Sequence, residues 1–596
     1  MRRFEVVFQP GGRTVEVVEG TTLLEAASLA GVPLEGVCGG KGTCGKCEVR
    51  AKGKLSPSTS SERRALGDKL SLGARLACQA RVLGRVVVEV PDASLRLGQK
   101  ILREGVTRYV PLDPMVKKRF LCLSKPSLDD QRTDLERVLD ALGEGRAADL
   151  NALRELPFVV RRNEFRVTAV AVDGTLVAVE GGDTSGRCFG VAFDVGTTTL
   201  VGYLLDLSTG EEVGASAAMN PQAACGDDVI SRIGYLMEHE DGLERLHEGI
   251  IEALNELISE LCRDYEVRPD EVYLISVVGN TCMHHLFLKL DPRNIASVPF
   301  VPVVSDPLVF KAEELGLKAH REARVVVLPN VAAYVGADIV GGILATGLWE
   351  VEAPTLLVDI GTNGEMVLSA DGRMMACSAA AGPAFEGARI RHGMRGAPGA
   401  IDSVVVEGEV KFTTIGDESP RGICGSGLVD AVAEMLRVGV LEPSGRIRSP
   451  EEFEGPENLK ARIVEGEGGY DFVLTEGIRI TQRDVRELQL AKGAIRAGIE
   501  VLRREMEVED GELTVLLAGA FGNYINKKSA LRIGLLPPVE EGKVVPVGNA
   551  AGEGAKLVLR SRRELERAQE IAKKVRYVEL SARPELMELL AEYMLF

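Results

Sequence analysis

Positive charge is the scarcer sign in this chain: its 596 residues hold 71 Lys and Arg against 88 Asp and Glu, a formal net charge of -17 at pH 7. Phosphate backbones are bound by clustered Lys and Arg that dominate locally, so this balance argues against a nucleic-acid partner. Long apolar runs are missing as well. No stretch approaches the roughly 20 apolar residues that a bilayer-crossing helix needs. The opening residues, Met1-Arg2-Arg3-Phe4-Glu5-Val6-Val7-Phe8, alternate like a strand and lack the apolar core of a signal peptide. The expectation is a soluble, cytoplasmic protein with no membrane partner. A disulfide framework is absent too, because the cysteines are eleven in number, odd, and seven of them are scattered singly. What is present, 45% hydrophobic and 27% charged residues, is an ordinary globular composition. The chain is too long for one hydrophobic core, so three or four domains are expected.

Four cysteines do cluster. Five residues separate Cys38 from Cys44, two separate Cys44 from Cys47, and thirty separate Cys47 from Cys78. Three thiolates on a glycine-rich loop and a distant fourth suit a 2Fe-2S cluster, in which each iron takes two cysteines and the loop bends closely around the sulfides. Gly39, Gly40, Gly42 and Gly45 permit that bend. A structural zinc site is the rival, but it usually takes two short Cys-x-x-Cys pairs, and only one is present. The same loop fits the dinucleotide-binding glycine pattern from Gly40 to Gly45, and a P-loop from Gly40 to Cys47 except that Cys47 replaces Ser or Thr. Both fail on context, since the polar segment from Glu48 to Lys54 is no helix on whose N-terminus phosphate could sit. Residues 4–8 and 14–18 alternate around Pro10-Gly11-Gly12 as a hairpin does, and Thr22 with Glu25 marks a capped helix start. By these residues the first 93 or so resemble a 2Fe-2S ferredoxin, whose fold is the β-grasp. The five-residue first spacing is closer to the adrenodoxin-like class than to plant-type ferredoxins.

Residues 94–118, with Pro111 and Pro114, read as a linker and candidate hinge. Residues 119–186 read as a small α+β domain with one amphipathic helix, from Ser127 to Leu142, and two strands, Phe165 to Val172 and Thr175 to Val179. No catalytic constellation is visible there, so a spacer or docking role is expected.

The remainder, 187–596, carries a repeated design. The strand from Phe189 to Asp194 ends in an acid and runs into Gly196-Thr197-Thr198-Thr199 before a second apolar strand, Leu200 to Leu207. Thr355 to Asp359 does the same into Gly361-Thr362-Asn363-Gly364-Glu365. Glycine lets backbone amides approach phosphate oxygens, threonine adds donors, and the acid can hold magnesium through water. A third strand, from Leu513, leads into the glycine turn Gly519-Ala520-Phe521-Gly522-Asn523, suited to flat contact with adenosine. Asp338 opens a helix that runs to Gly347, and Gly425-Ser426-Gly427 places a glycine turn at another helix N-terminus. The pair His284 and His285 invites a metal reading, but helix neighbours point roughly 100° apart, so packed histidines are expected.

This ordered trio resembles the phosphate-1, phosphate-2 and adenosine motifs of the acetate kinase, sugar kinase, Hsp70 and actin superfamily, which implies a two-lobed, ribonuclease H-like ATPase fold. The fold class expected is therefore multidomain α/β and α+β: β-grasp ferredoxin, small α+β middle domain, C-terminal two-lobed ATPase. In that order the modules, with Gly279-Asn280-Thr281-Cys282-Met283-His284-His285 and Gly382-Pro383-Ala384-Phe385-Glu386-Gly387, resemble the reductive activators of corrinoid-dependent enzymes. The resemblance implies a protein that uses ATP to return an inactive Co(II) corrinoid on a partner methyl carrier or methyltransferase to Co(I). It implies a 2Fe-2S cluster on Cys38, Cys44, Cys47 and Cys78, ATP with Mg2+, a separate electron donor, and a homodimer through the ATPase domain. Asp194 and Asp359 are the expected magnesium and water-positioning residues, with Glu365 and Asp338 as further candidates. The alternatives are a small-molecule kinase with an appended ferredoxin and an electron-transfer adaptor without ATPase activity.

Overall fold

The structure is a computed structural model that describes residues 2–32, 34, 42, 45–91, 104–143 and 147–596. Cys38, Cys44, Gly39 and Gly40 lie outside the described residues, as does the first part of the expected linker, 94–103.

The alternating opening forms the expected hairpin of Arg3–Gln9 and Arg13–Val18. Arg3–Gln9 also takes Val82–Glu89 as its parallel neighbour. The five-stranded sheet runs, in spatial order, Arg13–Val18, Arg3–Gln9, Val82–Glu89, Glu48–Leu55, Ala74–Leu76. Thr22 caps the helix Leu23–Leu29 reciprocally: its hydroxyl accepts from Glu25 N, and the Glu25 carboxylate accepts from Thr22 N. The helix buries Leu23, Leu24, Ala26 and Ala27 in one core with Val6, Phe8, Val86 and Val88 of the sheet.

The described part of the linker is not a free hinge. Gly105 pairs with Gly548, Arg108 donates to Leu344 O and forms an ion pair with Glu564, and Asp113 pairs with Arg562. A strand, Val116–Cys122, begins inside the stretch expected to be linker and joins a four-stranded sheet with Arg166–Val172, Thr175–Gly181 and Ala147–Ala148. The expected helix starts at Asp134 rather than Ser127, because Thr133 and Glu136 form a capping box and Ser127 instead closes a turn by accepting from Asp129 N and Asp130 N. A second helix, Leu150–Arg162, was not expected. Pro157 in its interior argues against helix, and burial of Ala152, Leu156 and Val160 on one face overrides it.

The rest folds into two lobes of the same plan. In the first, Phe189–Val195, Thr199–Asp206 and Glu212–Met219 form an antiparallel meander, extended in parallel by Val272–Gly279 and Arg324–Val327. In the second, Thr355–Ile360, Gly364–Ala370 and Arg373–Ala379 repeat it, extended in parallel by Thr514–Ala518 and Val544–Gly548. Two helices cross between the lobes, Ala337–Thr346 and Ala550–Arg560. Their backbones touch: a Cβ on Gly554 would fall 2.2 Å from Gly341 O.

Candidate nucleotide cleft and cluster site

Between the lobes lies a cavity of about 570 Å³. Its floor is made by the two acidic hairpin turns. Each is tightened by a short backbone bond, Gly196 N to Thr199 O and Gly361 N to Asn363 O, both 2.9 Å. A Cβ on Gly196 would sit 2.7 Å from Thr199 O, so this turn requires glycine. The third motif closes on the second. Gly519 has φ +77°, and a Cβ there would fall 2.4 Å from Asp359 Oδ1.

Of the residues singled out in the sequence, Asp194, Gly196, Thr197, Thr198, Thr199, Asp338, Asp359, Gly361, Thr362, Asn363, Glu365, Gly425, Ser426, Gly519 and Ala520 line the cleft. Gly364, Gly427, Gly522 and Asn523 do not line it. Gly364 faces Ile495, where a Cβ would lie 2.6 Å from the side chain; a Cβ on Gly427 would fall 2.2 Å from Ile401 O; Gly522 packs on Leu517. Those three glycines serve close packing behind the cleft. Asn523 gives way to Phe521 and Tyr524, which line it from the same short helix, Gly519–Tyr524. Phe521 and Phe385 stand with ring centroids 4.7 Å apart, making an aromatic wall at this end.

Asp194, Asp338, Asp359 and Glu365 are four of the carboxylates that line the cleft. Burial pushes Asp194 up to about 6, the Asn549 amide partly opposing it. Burial, then the charge of Asp359, pushes Asp338 up to about 7. Asp359 rises to about 7 through burial and Asp194, and Glu365 rises well above the usual range through burial, Asp338 and Asp359. Such a group of mutually repelling acids suits a divalent cation. Among the described residues no three or more His, Cys, Asp or Glu form a ready ligand set.

Several further residues line or brace the cleft that the sequence did not assign to it, although Asn280 and Glu386 stand in the motifs that carry the resemblance. Asn280 Nδ2 donates to Thr197 Oγ1 at 2.8 Å, and Asn549 Nδ2 donates to Asp194 Oδ2 at 2.8 Å. Both are N-caps at strand-to-helix junctions. A signal existed: Val278-Gly279-Asn280 and Val547-Gly548-Asn549 are the same tripeptide, once per lobe. Glu386, which accepts from Thr362 Oγ1, and Arg395 also line the cleft. The histidine pair is packed as expected: His285 Nε2 accepts from Val303 N at 2.9 Å, and burial pushes His284 down to about 3.

At the other site Cys47 and Cys78 are 1% and 7% exposed, and their sulfurs stand 3.4 Å apart without a disulfide. Two buried thiols so placed suit a shared iron. Ala77 N donates to Cys47 O at 2.9 Å, which ties the distant fourth cysteine to the end of the loop.

Comparisons with known proteins follow the same order. Residues 6–83 match the 2Fe-2S iron-sulfur cluster binding domain, 105–186 the RACo linker region, 189–350 the RACo middle region, and 353–596 the C-terminal domain of RACo, the ASKHA domain. The chain is 32% identical over 593 residues to the corrinoid activation enzyme RamQ of Eubacterium limosum, covering 96% of each. It is 28% identical over 420 residues to the Co(II) methylated amine-specific corrinoid protein reductase of Methanosarcina barkeri, covering 65% of this chain and 73% of that one. A solved structure of a reductive activator for a corrinoid, iron-sulfur protein is 38% identical, with a TM-score of 0.74 over 100% of this chain and 98% of its own.

Proposed function

The chain belongs to the family of reductive activators of corrinoid proteins, and we propose that it hydrolyses ATP to return the Co(II) corrinoid of a partner protein to Co(I). The observation that carries this is the presence in one chain of a buried thiol pair, Cys47 and Cys78, and a cleft where the Asp194, Asp359 and Gly519 motifs meet. Held by Cys38, Cys44, Cys47 and Cys78, a 2Fe-2S cluster would supply one electron at a time.

The need for ATP follows from potentials. Plant-type 2Fe-2S centres lie near about -400 mV, and a protein-bound Co(II) is generally harder to reduce. Each 59 mV of mismatch costs about a factor of ten for one electron. Closure of the lobes on a nucleotide can change the contact with a partner and so the surroundings of the acceptor. In the cleft, Gly196 to Thr199 and Gly361 to Asn363 hold the phosphates from opposite sides, and Asn280 fixes the Thr197 hydroxyl. Mg2+ on Asp194 and Asp359 would neutralise phosphate charge. Asp338 feels the charges of both Asp359 and Asp194, and Glu365 that of Asp359; these two position the attacking water. Phe385, Phe521 and Tyr524 face the base. An external one-electron donor recharges the N-terminal module, and the ATPase domain is the expected homodimer surface, testable by light scattering.

The deciding experiment mixes the reduced protein with a Co(II) corrinoid protein and follows Co(I) absorption with and without MgATP. Co(I) should appear only with MgATP, and Asp359→Asn should abolish both hydrolysis and Co(I). Equal Co(I) formation without nucleotide would overturn the ATP-driven reading, and phosphorylation of a small acceptor without reductant would favour the kinase alternative.

A further inference from the structure

A second, small cavity of about 20 Å³ adjoins the nucleotide cleft, and three modules wall it: Lys46 of the cysteine loop, Asp227 of the first lobe, and Thr362, Glu386 and Arg395 of the second. Thr362, Glu386 and Arg395 also line the main cleft. The Arg395 side chain is only 10% exposed. Its Nη2 donates to Asp227 Oδ1 at 3.4 Å, and Glu386 lies 3.9 Å away. Its Nη1 is buried and has no hydrogen-bond partner among the described residues. A buried cationic donor left unused is costly. A guanidinium is also the group best shaped to take phosphate oxygens in pairs. Asp227 and Glu386 therefore occupy, with carboxylates, the place of a phosphate next to the Thr362 turn.

The segment that carries Arg395 is stiff and leads out of the cleft. A Cβ on Gly393 would fall 2.0 Å from Gly387 O, and one on Gly422 would fall 2.6 Å from His392 O. Met394 N donates to Ile423 O at 2.9 Å, beside the cleft-lining Cys424. Displacement at Arg395 is thus passed on rather than absorbed. Two residues away, Gly393 O accepts from Lys46 Nζ at 2.9 Å. Lys46 immediately precedes the buried Cys47. On the other side of the mouth, the helix Leu23–Leu29 rests on the turn Pro221–Ala224 of the first lobe. The cysteine module therefore straddles the two lobes.

Taking the cleft as the ATP site, we propose that Arg395 binds the terminal phosphate of ATP, exchanging Asp227 for it, and that the stiff 387–395 segment passes this exchange to the cysteine loop through the Gly393–Lys46 bond. Arg395 is a binding residue and Lys46 a positioning residue. By linkage, a nucleotide that changes the cluster's affinity for an electron must itself bind the oxidised and reduced protein unequally.

The test uses the full-length holoprotein with the non-hydrolysable triphosphate AMP-PNP and with ADP, both with Mg2+. Wild type should prefer AMP-PNP, and its AMP-PNP affinity should change threefold or more on reduction, a shift of about 28 mV in cluster potential at 59 mV per tenfold. Arg395→Gln should lose the preference for triphosphate while still binding ADP. Asp227→Asn, which frees the guanidinium, should tighten AMP-PNP selectively, a gain that misfolding cannot imitate. Lys46→Met should keep the preference for AMP-PNP and lose the dependence on redox state. If neither nucleotide binds wild type, the ATP reading of the cleft fails and this proposal with it. If both bind but Asp227→Asn does not tighten AMP-PNP, or Lys46→Met keeps the full redox dependence, the proposal alone is overturned.

Discussion

Asn549 does two jobs with one side chain. Its Oδ1 accepts from Gly552 N at 2.8 Å, capping the helix Ala550–Arg560, while its Nδ2 donates to Asp194 Oδ2 and, at 3.1 Å, to Tyr203 Oη. Losing a cap costs about 1 kcal/mol and losing a hydrogen bond to a charged group about 1.5–3 kcal/mol. Asn549→Ala should therefore lower unfolding free energy by about 2–4 kcal/mol and weaken MgATP turnover through a mispositioned Asp194. A denaturant titration paired with an ATPase assay reads both, and unchanged turnover at lowered stability would make the residue a cap only. Single-residue chemistry of this kind was partly open to reading: Asp194, Asp359 and Gly519 stand out because acid and glycine follow an apolar strand. The asparagines did not, because a capping asparagine looks alike whether or not its amide also serves a neighbour.

The four carboxylates give the same scale a pH signature. Asp194 at about 6 and Asp338 and Asp359 at about 7 are raised in the folded protein above the unfolded values near 4. The folded state then binds more protons at these acids than the unfolded state does between these limits, so the stability they contribute is full below about pH 4 and is lost as pH rises through about 7. In chelator and without nucleotide, the melting temperature of wild type should drop between pH 5.5 and 7.5. Asp359→Asn removes one such group and one repelling neighbour, so its drop should be smaller. Parallel pH curves for the two proteins would remove these acids as the cause.

Among elements, the crossing of Ala337–Thr346 with Ala550–Arg560 is the most sensitive to bulk. Gly341 and Gly554 let the two backbones touch, and a methyl group on Gly554 has no room. Overpacking of this kind costs about 1–3 kcal/mol, and Gly554→Ala should show it in thermal unfolding. Because Asn549 and Asp338 sit at the N-terminal ends of these helices, hydrolysis should fall more than binding. The elements themselves were legible wherever pattern and caps agreed, as in the opening hairpin, the Thr22 cap and both acidic hairpins. They were not where a local signal opposed burial, as at Pro157, or where a strand found its neighbour far along the chain. Nothing in the alternation of Arg3–Gln9 announces Val82–Glu89 as its parallel partner.

Across the whole molecule the order of modules was readable and their assembly was not. Motifs are local, whereas the contact of Lys46 with Gly393 joins residues 347 positions apart through a backbone carbonyl, which any residue type supplies. The same reasoning explains why residues 104–113 looked like a hinge: their anchors, Leu344, Gly548, Ser561 and Glu564, lie in distant parts of the chain. No described residue of the cysteine module lines the main cleft, and Lys46 reaches only the small cavity beside it. Replacing Cys47 by Ala takes one of the two sulfurs 3.4 Å apart from its partner, Cys78, so an iron held between them loses a ligand. The variant should lack the visible absorption and reduced-state EPR signal of a 2Fe-2S centre, should form no Co(I) on a corrinoid partner, and should still bind MgATP. Retention of the EPR signal would place the electron carrier on other residues. Loss of MgATP binding with the cluster would mean that the cysteine module, straddling both lobes, also holds the cleft in its binding shape.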